Sequence, residues 1–587
     1  MSGYYKRYIS KKILNCVQGK LERKLPDTQP LENVVEKLVK VQLGQKNLSS
    51  GVQFSVGIQS LSSVLQGTSL DLDLSKAQAE GIHVQNGSLQ FHVETNQLIQ
   101  RLLTEIRTHP SQYGHTLQSG GKKQHICVEF SSPNIAKPFH VGHMRSTILG
   151  NVLSNLYEAS GQDVKRINWI GDWGTQFGLL ALGLTRYGNI NMLKQDPLLE
   201  LFNVYVKINQ TVRSECGTAP ESTSPTYQEG MALFTQLEQG EESMRDVWTM
   251  VKRLSLAELD KMYQRLGVHF THTLAESDYH AQTSQVLARL AQANLLQYDD
   301  DGVGHVKMDN SGLGRASLVK SDGSSLYLTR DVASALERQE IFSFDRVHYV
   351  VEQGQRSHFK KLVHILEKLG VSWAQRPIDD IHVCFGRVKG MSTRAGTVVF
   401  LRDVLDEARA RVLASMKSKA TTKVESDLET TADVLGVTSI ILQDLKAHRT
   451  NDYTFSWDRM LNFKADSGVF VQYCHARLCS MISNCGVELT DDVDVNCLML
   501  DSTLVAAAVH LARYPDVFDE ALSGLVPHHI VQYMFQLCHL VNAAYSVCPV
   551  KGESKNIAQA RLLVFECSRL VLANCLRVLG LTPLERI

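Results

Sequence analysis

Two imidazoles three residues apart, His140 and His143, flank Gly142 and follow Lys137 and Pro138. At the start of a helix that spacing puts both rings within one turn, where they can face a single phosphate and donate hydrogen bonds as charge builds on it. Gly142 has no side chain, so a flat base or ribose can approach the backbone between them. The chemistry is the binding and polarising of a nucleotide phosphate. A helix start that merely carries two surface histidines has the same four residues, so the surrounding elements decide between the readings.

Those elements fit. His125 to Phe130 is rich in β-branched and aromatic residues and reads as a strand, broken by Ser131, Ser132, Pro133 and Asn134. Val141, Met144, Ile148 and Leu149 recur at helical spacing, which predicts a helix starting near His140. In an open α/β sheet, ligands bind beyond the carboxyl ends of the strands, where helix N-termini offer free N–H groups. With those residues in view, His140-Val141-Gly142-His143 resembles the HIGH signature of class I aminoacyl-tRNA synthetases. The wider stretch from Val128 to Thr147 resembles arginyl-tRNA synthetase in particular, and the likeness runs from about Lys122 to Ile587.

Further motifs follow in order. Val164 to Ile170 reads as a strand running into Gly171-Asp172-Trp173-Gly174, where Asp172 either points into the cleft or caps a helix; no catalytic role is assigned to it. From Leu180 to about Asn310 the chain reads as mostly helical and charged, the length of an insertion between two halves of a nucleotide-binding sheet. Ser325 to Asp331 reads as the returning strand, with Val332 to Arg338 helical, so that Tyr327 and Asp331 lie across a strand end and a helix start. A carboxylate there matches a planar guanidinium through two parallel charge-assisted bonds, while a helix cap is the plainer reading. Strands are also expected over Arg346 to Val351, ahead of Gln355, and over Ile381 to Phe385, ahead of Lys389-Gly390-Met391-Ser392-Thr393-Arg394.

The resemblance implies roles for these positions. Arginine is contacted by Ser132, Pro133, Asn134, His143, Tyr327, Asp331 and Gln355; ATP is bound by His140, Gly142, His143 and Met391. The chemical step falls to His140, His143, Lys137, Met391, Ser392 and Arg394. The last three lie in the place of the KMSKS loop, although Gly390 and Thr393 stand where its lysines would be, and Lys137 is expected to substitute for one. Gln472 to Arg477 resembles the helix that opens the family's anticodon-binding bundle, so Tyr473 and Arg477 are expected to touch tRNA by stacking and phosphate pairing. The chain closes on Ile587, where family members commonly carry methionine.

Composition sets the outer limits. The 587 residues exceed one core, and Lys plus Arg equals Asp plus Glu at 61 each, so overall charge says nothing for or against an RNA partner. No apolar run approaches the length of a membrane span. Twelve cysteines are scattered without CxxC or paired metal spacing, as in a reducing compartment or the mitochondrial matrix, and no metal ligands are assigned. The start carries Lys6, Arg7, Lys11, Lys12 and Lys20 before its first acid, Glu22, and fits a mitochondrial transit peptide; a basic helix in a cytoplasmic enzyme is the alternative.

The expectation is therefore an α/β protein: a class I synthetase Rossmann-like parallel sheet with a helical insertion, a C-terminal all-α anticodon-binding bundle and a small N-terminal α+β domain. Its bounds are residues 1–24 for the targeting segment, 25–120 for a tRNA-contacting domain, 121–420 for the catalytic domain with its insertion at about 180–310, and 421–587 for the bundle. The resemblance implies ATP-dependent charging of tRNA(Arg) with L-arginine, with Mg2+, in the mitochondrial matrix, by a monomer that needs no membrane. An inactive tRNA-binding paralogue, or a class I synthetase for another amino acid, is the alternative.

Overall fold

The computed structural model describes residues 9–10, 13, 39–42, 52–57, 82–85, 87–115, 123–135, 139, 141–279, 281–308, 313–321, 323–389, 400–418, 427–460 and 466–587. The chain divides into two compact units. One comprises Met1–Ser119, Met416–Thr431 and Leu461–Ile587, the other Gly120–Ser415 and Ala432–Met460.

The first unit opens with strands β1 (Lys40–Gln42), β2 (Val52–Gly57), β3 (Ile82–Gln85) and β4 (Ser88–Val93), an antiparallel sheet in the order β1-β2-β4-β3. Helix α1 (Thr95–Thr108) buries Leu98, Ile99, Leu102, Leu103 and Ile106, an apolar stripe at three- and four-residue spacing. Most of the basic amino-terminal segment, residues 1–24, lies outside the described residues.

The second unit carries the site. Strand β5 (His125–Glu129) leads to α2 (Val141–Ala159), β6 (Asp163–Ile170), α3 (Thr175–Tyr187), α4 (Pro197–Cys216), α5 (Pro225–Glu238) and the 24-residue α6 (Glu242–Arg265). The stretch read as mostly helical holds two exceptions. Strand β7 (His272–Ala275) joins the parallel sheet, and β8 (Leu296–Tyr298), β9 (Gly304–Lys307) and β10 (Arg315–Val319) form an antiparallel ribbon.

The strand expected over Ser325 to Asp331 is replaced by a helix. After one antiparallel bridge from Ser325 to Val319, α7 runs Tyr327–Phe342. The end of β10 starts it: Leu318 O accepts both Leu326 N–H (2.8 Å) and the Thr329 hydroxyl (2.6 Å). Strand β11 (Arg346–Tyr349) then precedes α8 (Arg356–Lys368). The strand expected over Ile381 to Phe385 reduces to parallel bridges from His382 to Tyr349 and from Phe385 to Glu352, after a one-turn helix Ile378–Ile381.

The sheet order is β11-β5-β6-β7, all parallel. From β5 the chain moves one way to β6 and β7 and returns on the other side as β11. Such a reversal opens a crevice at the carboxyl ends of the two strands that flank it, here β5 and β11. Strand β12 (Val388–Lys389), α9 (Leu401–Lys417), α10 (Leu428–Leu445) and β13 (Tyr453–Thr454) follow, β12 pairing with β13 in parallel.

The first unit resumes with helices α11 (Gly468–Asn484), α12 (Ser502–Leu511), α13 (Tyr514–Ser523), α14 (His528–Val547) and α15 (Lys555–Val578). Helix α1 and the turn after it belong to this bundle: Tyr113 donates its hydroxyl to Leu511 O (2.9 Å), and Asn574 Nδ2 donates to Pro110 O (2.6 Å).

Candidate functional site

At the end of β5 the backbone takes an uncommon path. Ser131 (φ 69°) and Ser132 (φ 47°) both adopt left-handed conformations, which cost roughly 1–3 kcal/mol each and persist where neighbours hold them. Here Ser131 N–H donates to Ser146 Oγ (2.9 Å) and Ser132 N–H to Asn168 Oδ1 (3.2 Å). Ser146, from α2, passes its own hydroxyl to Val350 O beyond β11 (2.6 Å), so one side chain ties both strands that border the crevice. Asn134 then pairs with Gly171 at the end of β6, and a Cβ at Gly171 would lie 2.0 Å from Asn134 Oδ1. A side chain there would push the Asn134 amide out of its place.

Helix α2 begins at Val141, as its spacing predicts. The His143 ring stacks on Phe139 (5.4 Å, 13°), and Gly142 is exposed. Lys137, His140, Met391, Ser392 and Arg394 lie outside the described residues. The approach to the expected signature loop is well fixed. Arg145, buried on α2, pairs with Asp444 (2.9 Å) and donates to Gly386 O (2.6 Å) and Asn451 O (3.2 Å). Burial raises the Asp444 carboxyl above its usual range while Arg145 opposes the rise. Nearer the loop, Arg387 pairs with Glu352 (2.5 Å) and Lys389 with Asp452 (2.9 Å), exposed contacts that contribute little by themselves.

Beyond β6 and β7 lies a cavity of about 250 Å3 whose walls include Asn134, Asp172, Gln176, Glu276 and Tyr327. Asp172 is buried and fully engaged: it accepts Ser277 N–H (3.0 Å) and the Ser277 hydroxyl (2.7 Å), and it pairs with Lys252 (2.6 Å). Its role is to fix the turn after β7. Glu276, which sequence reasoning did not single out, is the reverse case. Its Oε2 is buried without a hydrogen-bond partner, 3.7 Å from Arg330. Burial pushes its carboxyl up to about 8, Arg330 pulls the other way, and Asp331 and Asp172 add to the rise. The signal that could have found it is position, immediately after a strand of the parallel sheet, but β7 itself went unread.

Of the seven positions expected to contact arginine, Asn134 and Tyr327 line this cavity. Asp331 sits one turn beyond Tyr327 on the same face of α7 and is bonded to His358 Nε2 (2.7 Å). Pro133 is buried, Ser132 and His143 are half-buried, and Gln355 is exposed in the one-turn helix before α8. The Glu276 carboxylate and Tyr327 in the cavity's walls, with Asp331 one turn further along α7, suit a planar cation with several N–H donors.

In the bundle, Tyr473 and Arg477 of α11 border a second cavity of about 580 Å3, with Tyr545, Lys551 and Ile587 also in its walls. The Arg477 guanidinium lies over the rings of Tyr473 (5.1 Å) and Tyr545 (5.5 Å) and donates to Asn542 Oδ1 (3.0 Å). Gln472 holds the final segment, donating to Thr582 O (2.8 Å) and accepting Leu584 N–H (2.9 Å). His475 Nδ1 is 2.8 Å from Leu584 O, which makes it a structural group.

Comparison with known proteins gives concordant results. The family model "tRNA synthetases class I (R), catalytic domain" matches residues 103–457, and that for the "DALR anticodon binding domain" matches residues 471–587. The chain is 40% identical over 504 residues, 85% of each chain, to the Bos taurus protein called "Probable arginine--tRNA ligase, mitochondrial". It is 36% identical over 596 residues, 98% of this chain and 97% of the relative, to the Dictyostelium discoideum protein called "Probable arginine--tRNA ligase, cytoplasmic". Among solved structures it resembles the arginyl-tRNA synthetase of Plasmodium falciparum, with a TM-score of 0.76, 24% identity and 99% of each chain covered. That of Thermus thermophilus also gives 0.76, at 20% identity, over 99% of this chain and all of the other.

Proposed function

The chain belongs to the class I arginyl-tRNA synthetases, and from that premise we propose how its residues carry out the arginine–tRNA ligase reaction. The guanidinium of L-arginine enters the cavity beyond β6 and β7, with Glu276 and Asp331 as its carboxylates and Tyr327 beside it. Asn134 and Gln355 orient the amino acid's carboxylate, which attacks the α-phosphorus of ATP; pyrophosphate leaves and arginyl-adenylate remains. His140, His143 and Lys137 donate to the charge that develops on phosphate oxygens, and Met391, Ser392 and Arg394 close over the triphosphate. A 2′-hydroxyl of the terminal ribose of tRNA(Arg) then attacks the arginyl carbonyl carbon, and AMP leaves. Positioning and electrostatics carry both steps, and no side chain forms a covalent intermediate.

Mg2+ would travel on the triphosphate oxygens, as it commonly does with nucleotides. Among the described residues no group of three His, Cys, Asp or Glu side chains is arranged to hold a metal ion. The Tyr473–Arg477–Tyr545 cluster is the proposed anticodon contact, its rings available to stack and Lys551 to pair with phosphate. Site of action is the mitochondrial matrix in this reading, supported by the basic start and the mitochondrial relatives, while cytoplasmic relatives keep the alternative alive. The active form is proposed to be a monomer.

The observation that carries the substrate reading is the buried Glu276 Oε2, without a hydrogen bond and 3.7 Å from Arg330, in a cavity shared with Asn134 and Tyr327. The test is amino-acid-dependent ATP–pyrophosphate exchange across all twenty amino acids, with and without tRNA(Arg). Arginine alone should support exchange, and Asp331→Asn should lower kcat/KM for arginine about a hundredfold. Exchange with a different amino acid would sink the pocket assignment. Silence under every condition would leave tRNA binding as the function.

A further inference from the structure

Helix α6 turns one face towards this corner. Trp248 Nε1 donates to Asp172 O (3.0 Å), Lys252 pairs with the Asp172 carboxylate (2.6 Å), and the Ser255 hydroxyl donates to Ile135 O (3.3 Å). Tyr263 continues that face two turns further on. It is buried, its hydroxyl 2.8 Å from Ser131 Oγ and 3.2 Å from Asn168 Nδ2.

The hydroxyl belongs to a buried network. Asn168 Oδ1 accepts Ser132 N–H, which orients the amide so that Nδ2 faces Tyr263 and donates to it. At the other end Thr147 Oγ1 lies 2.7 Å from His143 O, a carbonyl that can only accept, and 2.9 Å from Ser131 Oγ. Each hydroxyl has a single proton. Thr147 shares its proton between His143 O and Ser131 Oγ, and since Asn168 Nδ2 donates to Tyr263, the Tyr263 hydroxyl is left to give its own proton to Ser131 Oγ. The result is a continuous network from the Asn168 amide through Tyr263, Ser131 and Thr147 to the carbonyl of His143, with the Tyr263 hydroxyl in its middle. Chains of this kind polarise one another, and removing a middle member leaves buried groups unsatisfied on both sides.

We propose that Tyr263 is a positioning residue of the arginine site: its hydroxyl holds the left-handed Ser131–Ser132 turn, and so sets Asn134 where the amino acid is received. The inference rests on the arginine reading above. The ring is fixed independently of the hydroxyl, edge-on to Phe139 (5.7 Å, 88°) and Phe270 (4.9 Å, 71°), so Tyr263→Phe removes the network's middle member and keeps the packing.

Arginine-dependent ATP–pyrophosphate exchange tests this on the full chain. Tyr263→Phe should raise KM for arginine roughly five- to tenfold, the worth of one buried hydrogen bond, while KM for ATP stays at the wild-type value because the Thr147–His143 bond remains. Ser131→Ala removes the same bond from its other end and should show the same split, and the double variant should be no worse than the poorer single one. An unchanged arginine KM in both single variants, or arginine and ATP KM rising together, would overturn the proposal. A wild-type chain that exchanges with another amino acid would overturn the arginine reading and this inference with it, whereas an arginine-active wild type matched by Tyr263→Phe overturns this one alone.

Discussion

At the scale of the residue, Glu276 and Asp172 show what a sequence withholds. Both follow strands of the parallel sheet and both face one cavity, yet one is saturated with donors and the other has an oxygen that accepts no hydrogen bond and lies 3.7 Å from Arg330. Only the saturated carboxylate was noticed in the sequence, because a Gly-Asp-Trp-Gly turn announces itself. The pKa of Glu276 gives the difference a measurable form. Raised by burial to about 8, the group is mainly protonated at neutral pH before a cation arrives. A bound guanidinium favours the carboxylate, so KM for arginine should fall as pH rises towards 8 and level off above it. Glu276→Gln should raise KM about tenfold and flatten that profile; steady-state exchange rates at pH 6 to 9 would check both. An unaltered slope in the variant would remove Glu276 from the pocket's account.

At the scale of the element, close packing around α2 gives a second prediction. A Cβ on Gly150 would lie 2.2 Å from Phe130, at the point where α2 crosses the end of β5. Gly150→Ala should therefore cost about 1–3 kcal/mol despite alanine's better helix propensity, and lower the melting temperature by a few degrees. An unchanged or raised melting temperature would mean that the helix shifts freely. Elements with strong local patterns were legible: β5, the start of α2, β6 and β11 all lie where β-branched runs and helical spacing put them. Helix α7 was not, because Leu326-Tyr327-Leu328 alternates like a strand and the window is too short to separate the two periods. Strand β7 was missed for another reason: its residues are mostly half-exposed at the sheet's edge, so it lacks the apolar run of an inner strand. Glu276 was lost with it. The resemblance supplied Tyr327 and Asp331 regardless of whether they sit on a strand or a helix, so what the structure corrects is the element that carries them.

At the scale of the whole molecule, the first unit is assembled from both ends of the chain, and its core contains histidines. His510 stacks on Tyr533 (4.4 Å, 10°) and His115 packs against Phe518 (5.2 Å, 40°). Burial lowers both imidazoles to about 4. They are neutral in the folded unit and take up protons when it opens, so they favour folding fully above pH 6.5 and progressively less as the pH falls towards 4. The unit should lose a few kcal/mol across that window, and His510→Phe should make its acid unfolding less steep, as followed by tyrosine fluorescence against pH. Identical acid transitions in the two proteins would place the sensitive group elsewhere.

The same discontinuity orders events during synthesis. The segment Gly120–Ser415 and its completion at Ala432–Met460 leave the ribosome before the partner of α1 exists, since α1 packs with helices that come after residue 461. For a chain lengthening at ordinary rates the wait is of the order of half a minute. Throughout it, Leu98, Ile99, Leu102, Leu103 and Ile106 of α1 lack the cover that the later helices provide. The catalytic half can thus be finished while the two ends are still strangers, and the joining of α1 to the late helices is the closing event for every newly made copy.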